Sequence, residues 1–441
     1  MTKNAPRFLA RYALETVPRY TSYPPATAFH EGVGLADWSV WMQQQPAGSE
    51  LSLYIHIPFC KSMCWYCGCH TTIPNRHDRI ARYLDALDTD IKRRAALTPA
   101  DSRVSHIHFG GGSPDMLRPA EFARIMTRLR AHFTVGTGAE IAVELDPRGV
   151  TPDLCAALAE HGVTRASLGV QDLSSEVQLL INRVQPRGLV EAAADMLRAA
   201  GIRAINMDMM YGLPAQTETR VIATATALAE MGADRVSVFG YAHVPWFKKH
   251  QRAIPETRLP GASARFDQML AAAATLGQAG YDAIGFDHFA CPDDPLAVAA
   301  RDGTLRRNFQ GYTTDASDLL VGLGASAISE TPQGYVQTIA DPVRYAEAVE
   351  SGEDMLTRGV ARSPEDYATA TRLADLLCRF ETELTASDRV DALEPVIVDG
   401  LARIEAGRLI VTARGKPYVR NIAARLDPAF QLAENRHSTA V

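Results

Sequence analysis

The sequence has no long apolar run, no excess of basic residues and few cysteines, and each shortage argues against a class of protein. No segment reaches the roughly 18 uninterrupted apolar residues of a membrane-spanning helix, so we expect no membrane span. Lys and Arg number 45 against 51 Asp and Glu, and a net charge of −6 gives no general attraction for nucleic acid. With 46% hydrophobic and 22% charged residues, the composition is that of a globular chain rather than a disordered, collagenous or coiled-coil one.

The cysteine content and the N-terminal segment both favour a reducing cytoplasm. Seven cysteines in 441 residues form an odd set without even spacing, which is not the pattern of a secreted disulfide framework. The opening segment MTKNAPRFLARYALETV is basic and lacks the apolar stretch of a secretory signal. A chain of this length can bury a large core without disulfides, and it leaves room for two or three domains.

Short apolar runs alternate with longer helical patterns through the first two thirds of the chain. Such alternation is typical of βαβ units and predicts a parallel sheet. The predicted strands are 51–57, 104–109, 140–146, 164–169, 203–209 and 235–241, and the predicted helices between them include 78–96, 119–133, 187–200 and 217–231.

The predicted strands have one apolar face and one polar face. Ser52, Tyr54 and His56 alternate with leucine and isoleucine, and Glu144 shares the polar face of 140–146. Parallel strands with helices on both faces are apolar throughout, and a closed eight-stranded barrel is filled with aliphatic side chains. This pattern therefore predicts an α/β fold that forms a partial, open barrel with helices outside and a polar, ligand-filled interior.

The remainder of the chain is predicted to form two appendages on this barrel. Helical patterns cover 364–384 and 388–402, and the segment 401–423 resembles a hairpin followed by a short helix. We therefore predict a small, mostly helical C-terminal domain. The predicted division is an N-terminal arm at 1–48, the barrel and its extension at 49–350, and the C-terminal domain at 351–441.

Four of the seven cysteines fall within ten residues. Cys60, Cys64 and Cys67 have the spacing C-x3-C-x2-C, and Cys69 follows two residues later. Thiolates select zinc, copper(I) or iron–sulfur clusters, but a structural zinc site normally pairs such a motif with a second cysteine pair, and the sequence has none. Three cysteines on one loop can hold three corners of a [4Fe–4S] cluster and leave the fourth iron open.

Several motifs together resemble the oxygen-independent coproporphyrinogen III oxidase family of the radical S-adenosylmethionine (SAM) superfamily. They are PRYTSYPP (18–25), YIHIPFCKSMCWYCGC (54–69), HFGGGSPD (108–115), MMYGLP (209–214), GYAHVP (240–245) and NFQGYTTDASDLLVGLGASAIS (308–329). The resemblance implies a partial (β/α)6 radical SAM barrel. It also implies oxidative decarboxylation of two propionates of coproporphyrinogen III to vinyl groups, giving protoporphyrinogen IX.

The resemblance also implies the cofactors and the residues that bind them. Cys60, Cys64 and Cys67 would ligate the [4Fe–4S] cluster, and two SAM molecules would be bound. Residues implied to contact the first SAM are Tyr54, Gly111, Gly112, Ser113, Glu144, Gln171, Arg183 and Asp208; residues implied to surround the second are Ala242, Gln310 and Ile328.

Some of these residues have simpler interpretations. The glycines at 110–112 let a ligand approach the backbone, or they form only a tight turn; a phosphate loop is excluded because no GK[ST] follows. Strand-end carboxylates such as Glu144 and Asp208 often cap helices. His56 and Cys69 are the candidate catalytic residues, His56 for proton or electron traffic beside the cluster loop and Cys69 for a later step or for the loop's shape.

The expected partner is a tetrapyrrole with several carboxylates. Arg7, Arg11 and Arg19 precede the barrel and are candidates to enclose such an anion. The sequence identifies neither the electron donor nor the acceptor, and we expect a monomer that does not bind nucleic acid. Three alternatives stay open: a haem-binding chaperone of the same family, which usually lacks the cysteine at position 69, a radical SAM methyltransferase acting on another tetrapyrrole, and a zinc-binding module.

Overall fold

The computed structural model describes residues 5–385 and 388–430 of the chain. In these residues the strands are β1 Glu50–Ile57, β2 Arg103–Gly111, β3 Thr134–Leu145, β4 Arg165–Gln171, β5 Ala204–Tyr211, β6 Arg235–Gly240, β7 Asp282–Ile284, β8 His288–Ala290, β9 Arg306–Asn308, β10 Gly311–Thr313, β11 Leu319–Leu323, β12 Ile328–Thr331, β13 Gly334–Thr338, β14 Leu356–Ala361, β15 Glu381–Glu383, β16 Ala402–Glu405 and β17 Arg408–Val411.

The α-helices lie between these strands and at both ends of the described chain. They are α1 Ala10–Ala13, α2 Leu35–Gln43, α3 Asp78–Ala95, α4 Pro119–His132, α5 Pro152–Glu160, α6 Ser175–Leu180, α7 Arg187–Ala199, α8 Glu218–Glu230, α9 Ala262–Gln278, α10 Pro295–Arg301, α11 Pro342–Ser351, α12 Pro364–Arg379, α13 Val390–Val398 and α14 Val419–Leu426. Side chains of Thr151, Thr217 and Ser363 accept hydrogen bonds from the first turns of α5, α8 and α12, so local sequence marks where these helices begin.

One sheet of twelve strands organises the barrel. Its order is β14-β13-β12-β11-β1-β2-β3-β4-β5-β6-β8-β7, with β1 to β6 and β11 parallel and the remaining strands antiparallel. The edge strands β14 and β7 are not paired with each other, so the barrel is open. The predicted α/β fold, a partial barrel of six βα units, is confirmed, as are the strands and helices predicted within the barrel. The helix predicted at 364–384 ends at Arg379, and β15 follows it.

The sheet has the two faces that the sequence pattern predicted. Leu51, Leu53 and Ile55 of β1 are at most 1% exposed and belong to the large apolar core under the helices, while the polar side chains of the same strands face inward. Strand β3 begins six residues before its predicted start, because its first residues also pair with β2. Gly136 and Gly138 obscured this extension, since glycine is weak as a strand signal.

The C-terminal region is more mixed than predicted. The helices α12, α13 and α14 accompany a three-stranded antiparallel sheet of order β15-β17-β16, so the predicted hairpin is present and β15 adds to it. Strand β14 pairs with β13 in the large sheet. The division at 48 and 350 stays a prediction, and the first four and last eleven residues of the chain lie outside the described residues.

The N-terminal arm packs on the C-terminal region. The hydroxyls of Tyr20 and Tyr23 both donate to the carboxylate of Asp427, at 3.1 and 2.9 Å, and Arg425 forms an ion pair of 2.6 Å with Glu15. Both tyrosines are buried in the second apolar cluster of the molecule. The two ends of the described chain are thereby joined beside the barrel.

In the part of the chain that the structure describes, no helix is long and apolar enough to cross a membrane.

We predict that Tyr23→Phe weakens the attachment of the arm. Asp427 Oδ1 then keeps only the amide of Ala429, and the lost hydrogen bond to this buried carboxylate costs about 1–3 kcal/mol of unfolding free energy. Urea denaturation measures this loss, and limited proteolysis should show earlier cleavage in the arm. Tyr367→Phe is the control, because Tyr367 is 44% exposed; equal denaturation midpoints and cleavage rates for the two variants would contradict the prediction.

Candidate active site

A cavity of about 740 Å³ lies on the polar face of the sheet. Most residues predicted to bind metal or cofactor line it. They come from the loop after β1, from the strands β2 to β5 and the segments that follow β2 to β6, and from the turn between β9 and β10. The predicted residues on its wall are Cys60, Cys64, Cys67, Cys69, Gly111, Gly112, Ser113, Glu144, Gln171, Arg183, Asp208, Ala242 and Gln310. Among the described residues Tyr54, His56 and Ile328 do not belong to this wall, although all three were predicted site residues.

The cysteine loop is fixed at its base and along its length by backbone hydrogen bonds. The amide of Cys60 donates to the carbonyl of Thr72 at 3.1 Å, and the amide of Thr72 donates back to Pro58 at 2.8 Å. Trp65 is bound to the carbonyl of Ile181 at 3.0 Å, and His250 donates from Nε2 to the carbonyl of Cys67 at 2.7 Å. These contacts orient the loop so that its four cysteines meet the cavity.

The thiols of this loop have polar and cationic neighbours. Thr71 Oγ1 donates to Cys60 Sγ at 3.0 Å, and Arg183 Nη1 contacts Cys64 Sγ at 3.4 Å. The pKa of Cys67 is lowered to about 6, first by hydrogen bonds from Cys69 and also by His250 and Lys248. Burial raises the pKa of Cys60 to about 12. A cation beside a thiol favours the thiolate, which is the form that binds metal.

These three thiols fit an iron–sulfur cluster. Cys60, Cys64 and Cys67 lie near enough to influence one another electrostatically and face one cavity. Within residues 5–385 and 388–430, no three His, Cys, Asp or Glu side chains converge closely enough to share one metal ion. A cubane cluster takes one cysteine at each of three corners, so three thiols on one loop suit it.

The glycines at the end of β2 are required by neighbouring protein atoms. Gly111 has φ +111°, and a Cβ there would lie 2.5 Å from the His56 ring. A Cβ on Gly112 would lie 2.5 Å from the carbonyl oxygen of Phe59. The amides of Gly112 and Ser113 donate to Ile57 and Phe59, both at 2.8 Å. The segment is therefore held tightly against the start of the cysteine loop while Gly111 and Gly112 face the cavity.

The pKa values of two carboxylates on the polar face are shifted in opposite directions. Glu144 accepts from His108 Nε2 at 2.9 Å and from the amide of Gly111 at 3.4 Å. Desolvation opposes its ionisation, but these hydrogen bonds outweigh it and the pKa of Glu144 is lowered. Burial raises the pKa of Asp208, which accepts from Ser167 Oγ at 3.0 Å and Asn206 Nδ2 at 2.9 Å.

An ion network behind Cys64 was not predicted from the sequence. Arg148 binds Asp146 with three contacts, and its Nη2 lies 3.7 Å from Cys64 Sγ. Arg183 Nη1 also binds Asp146 at 3.0 Å, and its Nη2 donates to the carbonyl of Gly169 at 2.7 Å. The sequence does show an acidic and a basic residue, Asp146 and Arg148, directly after a strand. It does not show that Asp146 pairs with Arg183, which is 37 positions away.

Ser113 is also turned into the protein. Its hydroxyl donates to Asp115 and accepts the amide of Asp146 at 3.0 Å. Burial raises the pKa of Asp115 to about 7. The hydroxyl therefore already has two partners within the protein. The contact of Ser113 with a ligand stays a prediction.

Tyr54 and His56 lie beneath the glycine segment. His56 is 5% exposed, and burial lowers its pKa, so it is neutral at pH 7. Its Nε2 faces the carbonyl of His70 at 3.0 Å and therefore donates, which leaves Nδ1 to accept from Tyr54 OH at 3.1 Å. Tyr54 also stacks on His108, the partner of Glu144. The pair supports the cavity wall from below.

The other predicted residues separate into two groups. Ala242 and Gln310 line the cavity, whereas Ile328 lies on β12 with its carbonyl against Gly322 of β11. Of the arginines in the arm, Arg19 lines the cavity. Arg11 instead forms an ion pair with Asp399 and so attaches the arm to the C-terminal region. This corrects the expectation that Arg11 helps to enclose an anionic substrate.

We predict that Gly111→Ala destabilises the fold. The added Cβ meets the His56 ring and strains the positive φ, at a cost of about 1–3 kcal/mol. Thermal unfolding measures the effect. Gly138→Ala in β3 is the matched control, since a Cβ there meets nothing within 4 Å; a melting temperature as low in the control as in Gly111→Ala would refute the steric explanation.

Comparisons with known proteins agree with this site. The model of the Radical SAM superfamily matches residues 54–228. The chain is 44% identical to the oxygen-independent coproporphyrinogen III oxidase of Bradyrhizobium diazoefficiens over 98% of both chains, and 40% identical to that of Salmonella typhimurium over 93% of this chain and 92% of the relative. The solved coproporphyrinogen III oxidase of Escherichia coli, described as a radical SAM enzyme, superposes with a TM-score of 0.89 at 38% identity, covering 93% of this chain and 97% of that one. The chain therefore belongs to the oxygen-independent coproporphyrinogen III oxidase family of radical SAM enzymes.

Proposed function

We propose that this enzyme converts two propionate side chains of coproporphyrinogen III into vinyl groups and so forms protoporphyrinogen IX. The observation that carries the proposal is the near-full-length match to this family, combined with a cysteine loop that faces a polar cavity. Each propionate loses one hydrogen atom, CO2 and one electron, so the reaction needs both an electron donor and an acceptor. The bound [4Fe–4S] cluster and SAM supply the electron and the radical that removes the hydrogen atom.

The residues around the cluster loop have distinct proposed roles. Cys60, Cys64 and Cys67 are the cluster ligands, and their fit is supported by their shared cavity and cationic surroundings. Arg183 holds its charge beside Cys64 and Asp146, which favours the thiolate and fixes the loop. Cys69 donates its amide to Cys67 Sγ at 3.4 Å, so shaping of the loop is the role its geometry supports.

The first SAM is proposed to lie along the ends of β2 to β5. The wall there carries Gly112, Glu144, Gln171 and Asp208, whose carboxylate and amide oxygens can accept from the amino group and the ribose hydroxyls. Gly169 permits this arrangement, because a Cβ would lie 2.9 Å from Gln171 Nε2 and 3.1 Å from Arg183 Nη2. His56 acts through Tyr54, His108 and Glu144 rather than by contact with the cavity.

A second SAM is proposed beside Ala242 and Gln310. Both residues line the same cavity as the first group, and two SAM molecules match the two propionates oxidised. Ile328, the third residue of this group, would act from behind the wall. A monomeric state and a cytoplasmic location are also part of the proposal, as the sequence led us to expect.

The proposed reaction is tested with anaerobically reconstituted protein. We expect protoporphyrinogen IX and 5′-deoxyadenosine to form when SAM, a reductant, an electron acceptor and coproporphyrinogen III are added. Cys64→Ala should lose the absorbance of the cluster together with both products, because it removes a proposed ligand.

Two outcomes would overturn parts of this assignment. If 5′-deoxyadenosine forms without a vinyl product, the enzyme acts on another substrate. If Cys64→Ala keeps both the cluster absorbance and turnover, the ligand assignment is wrong. Cys155→Ala is the control, since Cys155 is buried in the apolar core.

We predict that Glu144→Gln weakens SAM binding by about ten- to a hundredfold, because hydrogen bonds to a charged group contribute about 1.5–3 kcal/mol. Calorimetric titration of the reconstituted protein measures this loss. We expect two SAM molecules per wild-type chain, with the loss confined to one of them.

Glu140→Gln is the matched control for this titration. Glu140 lies on the same face of β3 and lines the cavity, but it pairs with Arg165 at 3.5 Å. We expect its SAM affinity to stay within about threefold of wild type. Binding of a single SAM per wild-type chain would refute the second SAM site. Equal SAM affinities of the Glu144→Gln and Glu140→Gln variants would refute the proposed role of Glu144.

A further inference from the structure

Arginines from separate parts of the chain converge at one side of the cavity. Arg19 belongs to the N-terminal arm, Arg265 to α9 and Arg307 to β9. We call these three residues, together with the carboxylate of Asp287 that Arg19 and Arg307 influence, the arginine cluster. Arg420 of α14 adjoins it, since Arg19, Arg307 and Asp287 all act on its charge.

Arg307 is the most enclosed member of the cluster. Its side chain is 6% exposed, and its guanidinium lies 4.7 Å from the centre of the Tyr312 ring and 4.9 Å from that of Phe286. The nearest carboxylate contact is 3.9 Å, from Nη1 to Asp287 Oδ1, which is too long for a hydrogen bond. Among the described residues, Nε and Nη1 of Arg307 have no hydrogen-bond partner.

The other two arginines bind neutral acceptors. Arg265 Nη2 donates to the carbonyl of Tyr241 at 2.8 Å, and its Nε has no partner in the described part of the chain. Arg19 Nη2 donates to the carbonyl of Gly240 at 3.3 Å. Carbonyl groups accept hydrogen bonds but do not neutralise a cation.

The cluster therefore carries more positive than negative charge. Asp287 is the carboxylate that Arg19 and Arg307 share, and it also accepts from His288 Nδ1 at 2.7 Å, whereas Arg265 adds a third positive charge beside Arg19. Burial lowers the pKa of Arg265, and the charge of Arg19 lowers it further. Like charges held together in a protein interior destabilise the fold unless an anion joins them. The arrangement is thus one that a ligand anion would complete.

This cluster is continuous with the cavity. Arg19 lines it, together with Gly240, Gln310, His288 and Tyr312. Arg265 and Arg307 lie behind this wall, where Arg265 binds the carbonyl of Tyr241 and Arg307 packs on the Tyr312 ring. The guanidinium group is planar and binds carboxylates through two parallel hydrogen bonds, which suits an organic acid better than a point charge such as chloride.

We propose that Arg19 at the cavity wall, with the buried charges of Arg265 and Arg307 behind it, forms a binding subsite for propionate carboxylates of the tetrapyrrole that are not converted to vinyl groups. The inference rests on the proposed function, which supplies a substrate with four propionates of which two react. Because its members come from the arm, α9 and β9, the subsite exists only when the arm is docked. Substrate binding thereby depends on the attachment of the chain's N-terminal arm to the C-terminal region.

The test measures binding rather than turnover. Coproporphyrin III, the oxidised and fluorescent form of the substrate, is titrated into reconstituted wild-type protein and into Arg307→Met and Arg19→Gln variants. We expect each variant to bind at least about tenfold more weakly, since Arg19→Gln removes a charged hydrogen bond worth more than about 1.4 kcal/mol and Arg307→Met removes a buried charge that solvent screens little. The tetramethyl ester of coproporphyrin III, which carries no charge, should bind all three proteins alike.

Arg306→Met is the matched control. Arg306 is the neighbouring residue of β9, but it forms an exposed ion pair with Asp318 at 2.7 Å, and its replacement should leave coproporphyrin binding unchanged. Thermal unfolding adds a second readout. Arg307→Met keeps the apolar stem and removes an unpaired buried charge, so its melting temperature should not fall below that of wild type.

The outcomes separate the subsite from the proposed function. If wild type neither binds coproporphyrin III nor converts coproporphyrinogen III, the proposed function fails and the subsite with it. If wild type does both while Arg307→Met and Arg19→Gln bind coproporphyrin III as tightly as wild type, the subsite alone is refuted. If Arg307→Met has a lower melting temperature than wild type, the coproporphyrin III affinity of Arg19→Gln decides whether the subsite exists. Arg19 lines the cavity, so its replacement leaves the core intact.

Discussion

Side chains of a β-strand point alternately to opposite faces, and in β1 to β6 this alternation separates an apolar outer face from a polar inner face. Helices cover the outer face, and the inner face encloses the cavity. Polar groups held there must be paired or meet a ligand, because an unpaired polar group in the interior is costly. Glu144 with His108 and Asp208 with Ser167 and Asn206 are paired in this manner. The separation of the two faces therefore creates the cavity and sets its polar character.

The cysteine loop is a second consequence of the same geometry. It leaves β1 at the end of the sheet where the loops after β2, β3 and β4 also emerge, and so it meets Gly112, Asp146 and Arg183. The cations of Arg183 and Lys248 lie beside these thiols and favour the thiolate, which is the form that binds metal. Distant segments of the chain therefore hold the loop in place.

The N-terminal arm contributes Arg19 to the cavity wall, and the C-terminal region holds the arm in place. Tyr20 and Tyr23 bind Asp427, and Arg425 binds Glu15, so the two ends of the described chain hold each other beside β6. The cations gathered there oppose one another, and enzymes commonly accept such a local loss of stability where a ligand restores the balance. An acidic chain with a net charge of −6 is compatible with an anionic substrate, because the charge that matters is local.

The sequence by itself determined the βα alternation, the polar inner face and the cysteine motif, because strand and helix periods and the spacing within one loop are local properties. It also carried the family resemblance, and with it the cofactors and a set of site residues most of which line the cavity. Only the tertiary structure decided that Tyr54 and His56 lie beneath that wall, that Ile328 lies behind it, and that Arg11 joins Asp399 instead of the cavity. The contacts of Arg183 with Cys64 and the convergence of Arg19, Arg265 and Arg307 are likewise tertiary. Their partners are separated by tens to hundreds of residues, so no local pattern records them, and the fold alone brings these charges together.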